Sequence, residues 1–184
     1  KFDVEVDEPD VSPLQVQGPN SAELMANVFG DWVHDLGFYR FKEFNHEGIP
    51  IVIARMGYSR ELCYEIFLQD HSKGDELWEC LWQAGQDLNI SAGGPNIILR
   101  LEGGILSYLS DLDRTNNPYE VGLDWMIDLD QEDDFIGKEA LREINIKGPL
   151  KKLMGAEIEA DPIYESNEDH LPVLIDGKVV GSMN

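Results

Sequence analysis

Residues 38–68 contain three strand candidates in succession, and this run restricts the possible folds more than any other part of the chain. The Glu47-Gly48 pair predicts a turn between the first two strands, and the loop "GYSRE" precedes the third. The continuous apolar run from Ile51 to Ala54 is typical of a strand that is covered on both sides. The chain is therefore expected to fold around a sheet.

Helical patterns lie on both sides of this run. A short strand predicted at residues 12–17 is followed by a helix that begins near Pro19 and ends at Gly30. After the third strand, the segment "SKGDELWECLWQAGQDL" has apolar residues at helical spacing. The order β-α-β-β-β-α predicts an α+β fold, a mainly antiparallel sheet with helices on one face. The apolar stripe that we expect to pack on the sheet as core consists of Leu77, Trp78, Leu81, Trp82 and Leu88.

The second half of the chain gives weaker signals. A short helix is predicted after the punctuation Gly93-Gly94-Pro95 and ends at the glycine pair 103–104. Another helix is predicted in "GKEALREINI", and a strand in "KKLMGAEIEA". A hairpin is predicted around Asp176-Gly177. Because this last part is too short to close a core, we interpret the chain as a piece of a longer protein.

Charge restricts the classes of partner. The chain has 14 basic and 36 acidic residues, which gives a formal net charge of -22. This excess argues against a generic nucleic-acid or anionic-membrane surface, since both are bound largely through Lys and Arg. It favours a cationic small molecule, or simply solubility. No apolar run approaches the roughly 20 residues that cross a bilayer, and the two cysteines lack Cys-x-x-Cys spacing, so we expect a cytoplasmic protein with reduced thiols.

Metal ligation is not indicated by the spacing of the candidate ligands. The four histidines never stand at i, i+3 or i, i+4 positions, which argues against zinc. Acidic residues alternate in the stretch 128–139 as in a calcium loop, but Asp133 occupies the sixth position, where such a loop needs glycine. We interpret this stretch as a solvated turn in which Asp133 or Asp134 supports the following helix.

Glu65 is the residue that the strand pattern alone does not explain. It lies in "CYEIFL" with Cys63 and Phe67 two positions away on the same face. Such an acid lies at a solvent edge of the sheet or serves a site, because a buried carboxylate needs hydrogen-bond partners. Arg100 lies on a short apolar helix. An arginine in such a helix usually forms a surface or structural ion pair, and this is what the residue alone predicts.

Four segments together resemble the family of the glycine cleavage T-protein, a tetrahydrofolate-dependent aminomethyltransferase. They occur in the family's order and spacing across residues 10–145, and they read "LQVQGP", "GYSRELCYEI", "LRLEGGILSYLSDLDRTNNPYEVGLDW" and "DFIGKEAL". Within the family, the segments "GGPNIILRLEGGILSY", "NNPYE" and "IKGPLKKLMGAEI" are similar to the dimethylsulfoniopropionate demethylase branch.

The resemblance implies three domains around a central tetrahydrofolate channel. Residues 1–91 and 92–148 would contribute folate-binding parts, and residues 149–184 the start of a carboxy-terminal β-barrel. Glu65 is implied to bind the pterin, whose N3–H and 2-amino groups can both donate to one carboxylate. Arg100 is implied to contact the folate. Aromatic side chains implied to lie near the channel, although each could equally be core, are Tyr58, Tyr108 and Trp125.

The resemblance implies no catalytic residue in this chain, because the family's catalytic Asp lies upstream of the matched segments. The chain also departs from the aminomethyltransferase motif. Arg60 stands where that motif has Gly, and Leu62 and Cys63 stand where it has Asp-Gly. These departures argue against an aminomethyltransferase role of this loop.

The expected reaction is transfer of one carbon from a small molecule to N5 of tetrahydrofolate. The donor would be dimethylsulfoniopropionate, a sulfonium compound, or alternatively an aminomethyl group delivered on a lipoyl carrier protein. A non-catalytic folate-binding or structural protein is the third alternative. By itself the chain is expected to bind folate weakly, to show no turnover, and to self-associate as a homo-oligomer through exposed apolar faces.

Overall fold

The computed structural model describes residues 3–9, 11–94, 97–162 and 170–183. Contacts divide the chain into two compact units, residues 1–117 and residues 118–184. The division into residues 1–91, 92–148 and 149–184 that the sequence suggests stays a prediction.

A four-stranded antiparallel sheet forms the centre of the first unit. Its strands are β1 (Ser12–Gln17), β2 (Phe41–His46), β3 (Ile49–Ala54) and β4 (Cys63–Leu68), in the spatial order β1-β4-β3-β2. Since β4 pairs with β1 on one side and with β3 on the other, it is an interior strand. The solvent-edge explanation for the acid in this strand is therefore excluded.

Two helices cover one face of the sheet, as the sequence predicts. Helix α1 (Ser21–Phe29) ends at Gly30, whose φ of 97° favours glycine, and helix α2 (Gly74–Ala84) follows β4. Alternate residues of the strands point towards these helices and form the core with them. The buried core residues are Leu24, Met25, Phe29, Val33, Leu36, Ile49, Ile51, Ile53, Tyr64, Ile66, Leu68, Leu77 and Leu81.

The two tryptophans of α2 do not belong to this core. Leu77 is 1% exposed and Leu81 is buried, whereas Trp78 is 42% exposed. Trp78 stacks on Trp82 with ring centroids 6.0 Å apart. Each tryptophan follows a buried leucine by one position, which turns it about 100° away from the sheet. The prediction that both tryptophans pack between helix and sheet is therefore wrong.

A short helix, α3 (Ile97–Glu102), ends at Gly103-Gly104, as predicted. Pro95 and Asn96, which precede it, lie outside the described residues. The loop after α3 completes the first unit.

The second unit contains helix α4 (Lys138–Lys147) and a hairpin of β5 (Leu171–Ile175) and β6 (Lys178–Met183). Both were expected, and Asp176 and Gly177 make the turn with φ angles of 50° and 76°. The strand expected in "KKLMGAEIEA" is wrong, because residues 151–159 have no regular secondary structure. The Leu153 N–H donates instead to the Glu120 carbonyl, 2.7 Å away. The start of a β-barrel stays a prediction.

The ammonium group of Lys138 organises the acidic stretch before α4. It is buried and donates to the carbonyls of Gln131 and Asp133 at 2.7 Å and 3.0 Å. Gly137 precedes α4 and provides no side-chain cap. The expected support of this helix by Asp133 or Asp134 stays a prediction. Within the described ranges, no three His, Cys, Asp or Glu side chains are grouped to hold a metal ion.

The described part of the chain contains no disulfide and no helix that could span a membrane. Cys63 and Cys80 are both free thiols. No described helix combines the length and the apolar character that crossing a membrane requires.

Candidate functional site

Glu65 lies on the face of the sheet opposite to α1 and α2. Its neighbours in β4, Tyr64 and Ile66, point into the core, so Glu65 points the other way. The side chain is half-buried, and Gln15 of β1 and Ala54 of β3 are its cross-strand neighbours. In the described part of the chain, no group donates a hydrogen bond to the Glu65 carboxylate. Its acceptor positions are therefore available to a ligand.

A polar network surrounds Glu65 on this face. Gln15 Nε2 donates to Gln17 Oε1 at 3.0 Å and to Cys63 Sγ at 3.1 Å. The hydroxyl of Ser59 donates to the same Gln17 oxygen at 2.9 Å. Burial raises the pKa of the Cys63 thiol, the hydrogen bond from Gln15 lowers it, and the negative charge of Glu65 adds to the rise. Cys63 is therefore a protonated, buried thiol at neutral pH.

The loop of residues 57–62 folds tightly over this network. A Cβ atom on Gly57 would lie only 2.4 Å from Cys63 Sγ, so a side chain at this position would push the loop away. The Leu62 carbonyl accepts hydrogen bonds from the Gly18 N–H at 2.9 Å and from the Ser21 hydroxyl at 3.0 Å. These hydrogen bonds fasten the Leu62 end of the loop to the residues that connect β1 with α1.

The end of α3 approaches the same loop and brings Arg100 to it. A Cβ atom on Gly103 would lie 3.2 Å from the Ser59 carbonyl oxygen and 3.3 Å from the Cβ of Arg60. The guanidinium carbon of Arg100 lies 5.9 Å from the centre of the Tyr58 ring. Two of the predicted site residues, Tyr58 and Arg100, are therefore neighbours, and the loop that carries Tyr58 also covers the residues beside Glu65.

Arg100 forms a buried ion pair with Asp111. Its Nη1 and Nη2 atoms both donate to the Asp111 carboxylate, and Nη1 also donates to the Ile105 carbonyl at 2.7 Å. The N–H of Ser107 donates to the same carboxylate at 2.6 Å. Burial acts to raise the pKa of Asp111, but the hydrogen bonds from Arg100 and Ser107 outweigh it and hold this pKa below its ordinary value. The pair fixes the shape of residues 105–111.

The remaining two predicted site residues are aromatic and largely exposed. Tyr108 is 54% exposed and lies on the loop that the Arg100–Asp111 pair holds. Trp125 belongs to the second unit, where it is 76% exposed within a short 3₁₀ turn. Neither belongs to the described core, which was the alternative expected for each.

A groove of about 630 Å³ runs along the free edge of β1. Trp78 and Trp82 line it together with residues 88–94. None of the five predicted site residues lines it, although Gln15 and Gln17 border both the groove and the Glu65 network. The groove and the sheet face that carries Glu65 therefore adjoin each other at β1.

Several residues of the site were not singled out from the sequence. Gln15 and Gln17 alternate with apolar residues in "SPLQVQ", the same strand pattern that made Glu65 conspicuous, so a signal existed. Asp111 gave no comparable signal, because it lies in an irregular loop where acidic residues are common.

Comparison with known proteins identifies the family. The GCVT N-terminal domain family matches residues 1–131. Dimethylsulfoniopropionate demethylase DmdA from Ruegeria pomeroyi is 44% identical over 182 residues, which is 99% of this chain and 49% of the relative. Aminomethyltransferases from Halothermothrix orenii and Rippkaea orientalis are each 36% identical, over 90% and 92% of this chain and 48% and 44% of the relatives.

The chain spans about half the length of the curated relatives that it matches. The matching family covers well over half of the chain and includes the segments that hold Glu65, Arg100 and Tyr108. The resemblance inferred from four separate sequence segments is thereby confirmed, and the chain belongs to the family of the glycine cleavage T-protein.

Proposed function

We propose that this chain is part of a tetrahydrofolate-dependent transferase that takes a methyl group from dimethylsulfoniopropionate. The observation that carries the proposal is the 44% identity to a dimethylsulfoniopropionate demethylase over 99% of the chain. The two aminomethyltransferases are each 36% identical to the chain and cover a smaller share of it, 90% and 92%. The proposed whole protein is a cytoplasmic enzyme that acts on a small molecule.

Glu65 is proposed as the pterin ligand. The carboxylate has no donor from the described residues, and it lies beside Phe67 and Val52, half-buried apolar side chains on the same face. A flat heterocycle could rest on such apolar surface while two adjacent N–H groups donate to the carboxylate. The chemistry of this set of residues fits a pterin edge.

Arg100 and Tyr58 are proposed to act at the same site. The Arg100 guanidinium has five N–H donors, and the bonds to Asp111 and Ile105 use three of them. Because Arg100 is only 4% exposed, its main contribution would be to hold the loop of residues 105–111, which presents Tyr108 to solvent. Tyr108 would supply an aromatic face for a ring or a sulfonium group. The role of Trp125 near the ligand stays a prediction.

Bound tetrahydrofolate would supply N5 as the nucleophile that accepts the methyl group, with the electron pair of the broken C–S bond left on sulfur and the N5 proton released to solvent. The side chains of this chain would contribute binding and alignment. Holding two reactants in a near-attack geometry can supply roughly 7 to 11 kcal/mol of the barrier reduction.

The role of Glu65 is tested by titrating tetrahydrofolate into the chain and into Glu65→Gln. The replacement keeps the shape but removes the charge and one acceptor, so we expect affinity to fall roughly tenfold or more. Glu43→Gln is the matched control, because Glu43 is an exposed acid on the same face of β2. Equal affinity of the chain and Glu65→Gln would refute the assignment.

The aminomethyltransferase reaction is the second candidate, and the 36% identity to two such enzymes favours it over unrelated activities. It would require a lipoyl carrier protein as partner. Assays of the longer protein with dimethylsulfoniopropionate and with an aminomethyl-lipoyl donor separate the two reactions. Folate binding without turnover of either donor would instead support a non-catalytic folate-binding protein.

A further inference from the structure

Both N–H groups of the Gln15 side-chain amide are occupied. One donates to Gln17 Oε1 at 3.0 Å and the other to Cys63 Sγ at 3.1 Å. A primary amide has only two such donors. Glu65 is the residue directly opposite Gln15 in the strand register, and side chains so placed have Cβ atoms about 4.5–5.5 Å apart. The amide is thus within reach of the carboxylate but does not donate to it.

The two acceptors that hold the Gln15 amide are themselves held. The hydroxyl of Ser59 donates to the same Gln17 oxygen at 2.9 Å, which keeps that oxygen turned towards Gln15. Cys63 Sγ lies 3.7 Å from the Tyr64 carbonyl, to which the thiol proton is directed, so the sulfur lone pairs remain for Gln15. Gly57 packs closely on the sulfur, since a Cβ atom at this position would lie 2.4 Å from it.

We propose that Gln17 and Cys63 hold the Gln15 amide away from Glu65, so that the Glu65 carboxylate keeps its acceptor positions for a ligand with two adjacent N–H donors. Gln15 is therefore a positioning residue of the site, and Cys63 sets its orientation. The inference rests on the proposed function only where it identifies the ligand as a pterin. If the network is broken, the amide turns to Glu65 and competes with the ligand.

A ligand-free experiment tests the network directly. The Gln15 side-chain NH₂ signals are assigned in ¹⁵N-labelled chain by their loss in Gln15→Leu, and then followed in Cys63→Ala. We expect one amide proton of Gln15 to shift downfield in Cys63→Ala as it bonds to the carboxylate. In Cys63→Ala/Glu65→Gln this shift should disappear.

Gln17→Met supplies a second way to release the amide, and because Gln17 is exposed this variant should fold. It should produce the same Glu65-dependent shift. The inference is overturned if neither variant moves the Gln15 signals, or if their movement persists without the Glu65 carboxylate. It is also overturned if the unmodified chain already shows a downfield Gln15 amide proton that Glu65→Gln abolishes, since the amide would then already bond to Glu65.

Tetrahydrofolate titration supplies the functional readout. We expect Cys63→Ala to weaken binding about tenfold, the effect of one competing hydrogen bond to a charged group. In Gln15→Met/Cys63→Ala no amide remains to compete, so affinity should recover, which a merely structural role of Cys63 does not predict. Absence of recovery contradicts the inference. Absence of folate binding by the unmodified chain contradicts the proposed function instead, and the amide signals still decide the network.

Discussion

Replacing Asp111 with asparagine should destabilise the first unit by about 3 kcal/mol. Arg100 is 4% exposed and the Asp111 side chain 15% exposed, and Asp111 accepts hydrogen bonds from both Nη atoms of Arg100 and from the Ser107 N–H. Removing one partner of a buried pair typically costs about 3 to 5 kcal/mol, because the other charge is left uncompensated. The lower value applies, since asparagine keeps one acceptor for the Ser107 N–H.

The loss of stability caused by Asp111→Asn should be larger at neutral pH than at acidic pH. Burial acts to raise the pKa of Asp111, but the hydrogen bonds from Arg100 and Ser107 hold it below its ordinary value. A carboxyl whose pKa is lowered by folding stabilises the protein above its unfolded pKa, near about 4, and this contribution disappears as the pH falls through the folded value. The difference between the chain and Asp111→Asn should therefore be full at neutral pH and shrink below about pH 4.

Urea unfolding followed by tryptophan fluorescence, at neutral and at acidic pH, measures the difference in unfolding free energy. Glu76→Gln is the control, because it removes the Lys73–Glu76 pair, in which both side chains are about half exposed. Exposed pairs contribute about 0 to 1 kcal/mol. If Asp111→Asn costs no more than Glu76→Gln at neutral pH, or if its cost is the same at both pH values, the buried pair does not stabilise the loop as described.

Three further predictions concern stability and use the same unfolding measurement. Gly57→Ala should cost about 1 to 3 kcal/mol, because its Cβ would lie 2.4 Å from Cys63 Sγ; an unchanged midpoint would contradict the close packing. Arg60→Gly should stabilise the chain by about 0.5 to 1 kcal/mol, since Arg60 has a φ of 59° that costs a residue with a side chain; destabilisation would argue against this backbone geometry. Leu77→Ala should cost about 2 to 5 kcal/mol and Trp78→Ala clearly less, because Leu77 is buried and Trp78 is exposed. A larger cost for Trp78→Ala would instead indicate that this tryptophan packs in the core.

Much of the secondary structure could be predicted because its signals are local. Gly30 ends α1, and the Glu47-Gly48 turn joins β2 to β3 with φ angles of 50° and 91°. Such preferences act within a few residues and need no knowledge of the rest of the chain. Where a segment depends on a distant partner, prediction failed: residues 151–159 have a strand-like pattern, but no strand among the described residues pairs with them.

The candidate site could be predicted only in part. Glu65 and Arg100 came from a resemblance between motifs, and the structure adds that Arg100 contacts the Tyr58 ring and pairs with Asp111. The position of Tyr108 on the loop held by that pair could not be read from its motif. A loop without regular structure takes its shape from contacts that the local sequence does not specify.

The sequence by itself determined the family and the succession of strands and helices, since ordered motifs and local turn preferences are written along the chain. Only the tertiary structure decided what surrounds Glu65. The sheet order makes β4 an interior strand, and the register sets Gln15 opposite Glu65 and in hydrogen-bond contact with Cys63, 48 positions along the chain. Register is fixed by burying one whole face of the sheet under α1 and α2, which is a property of the packed unit and of no single segment.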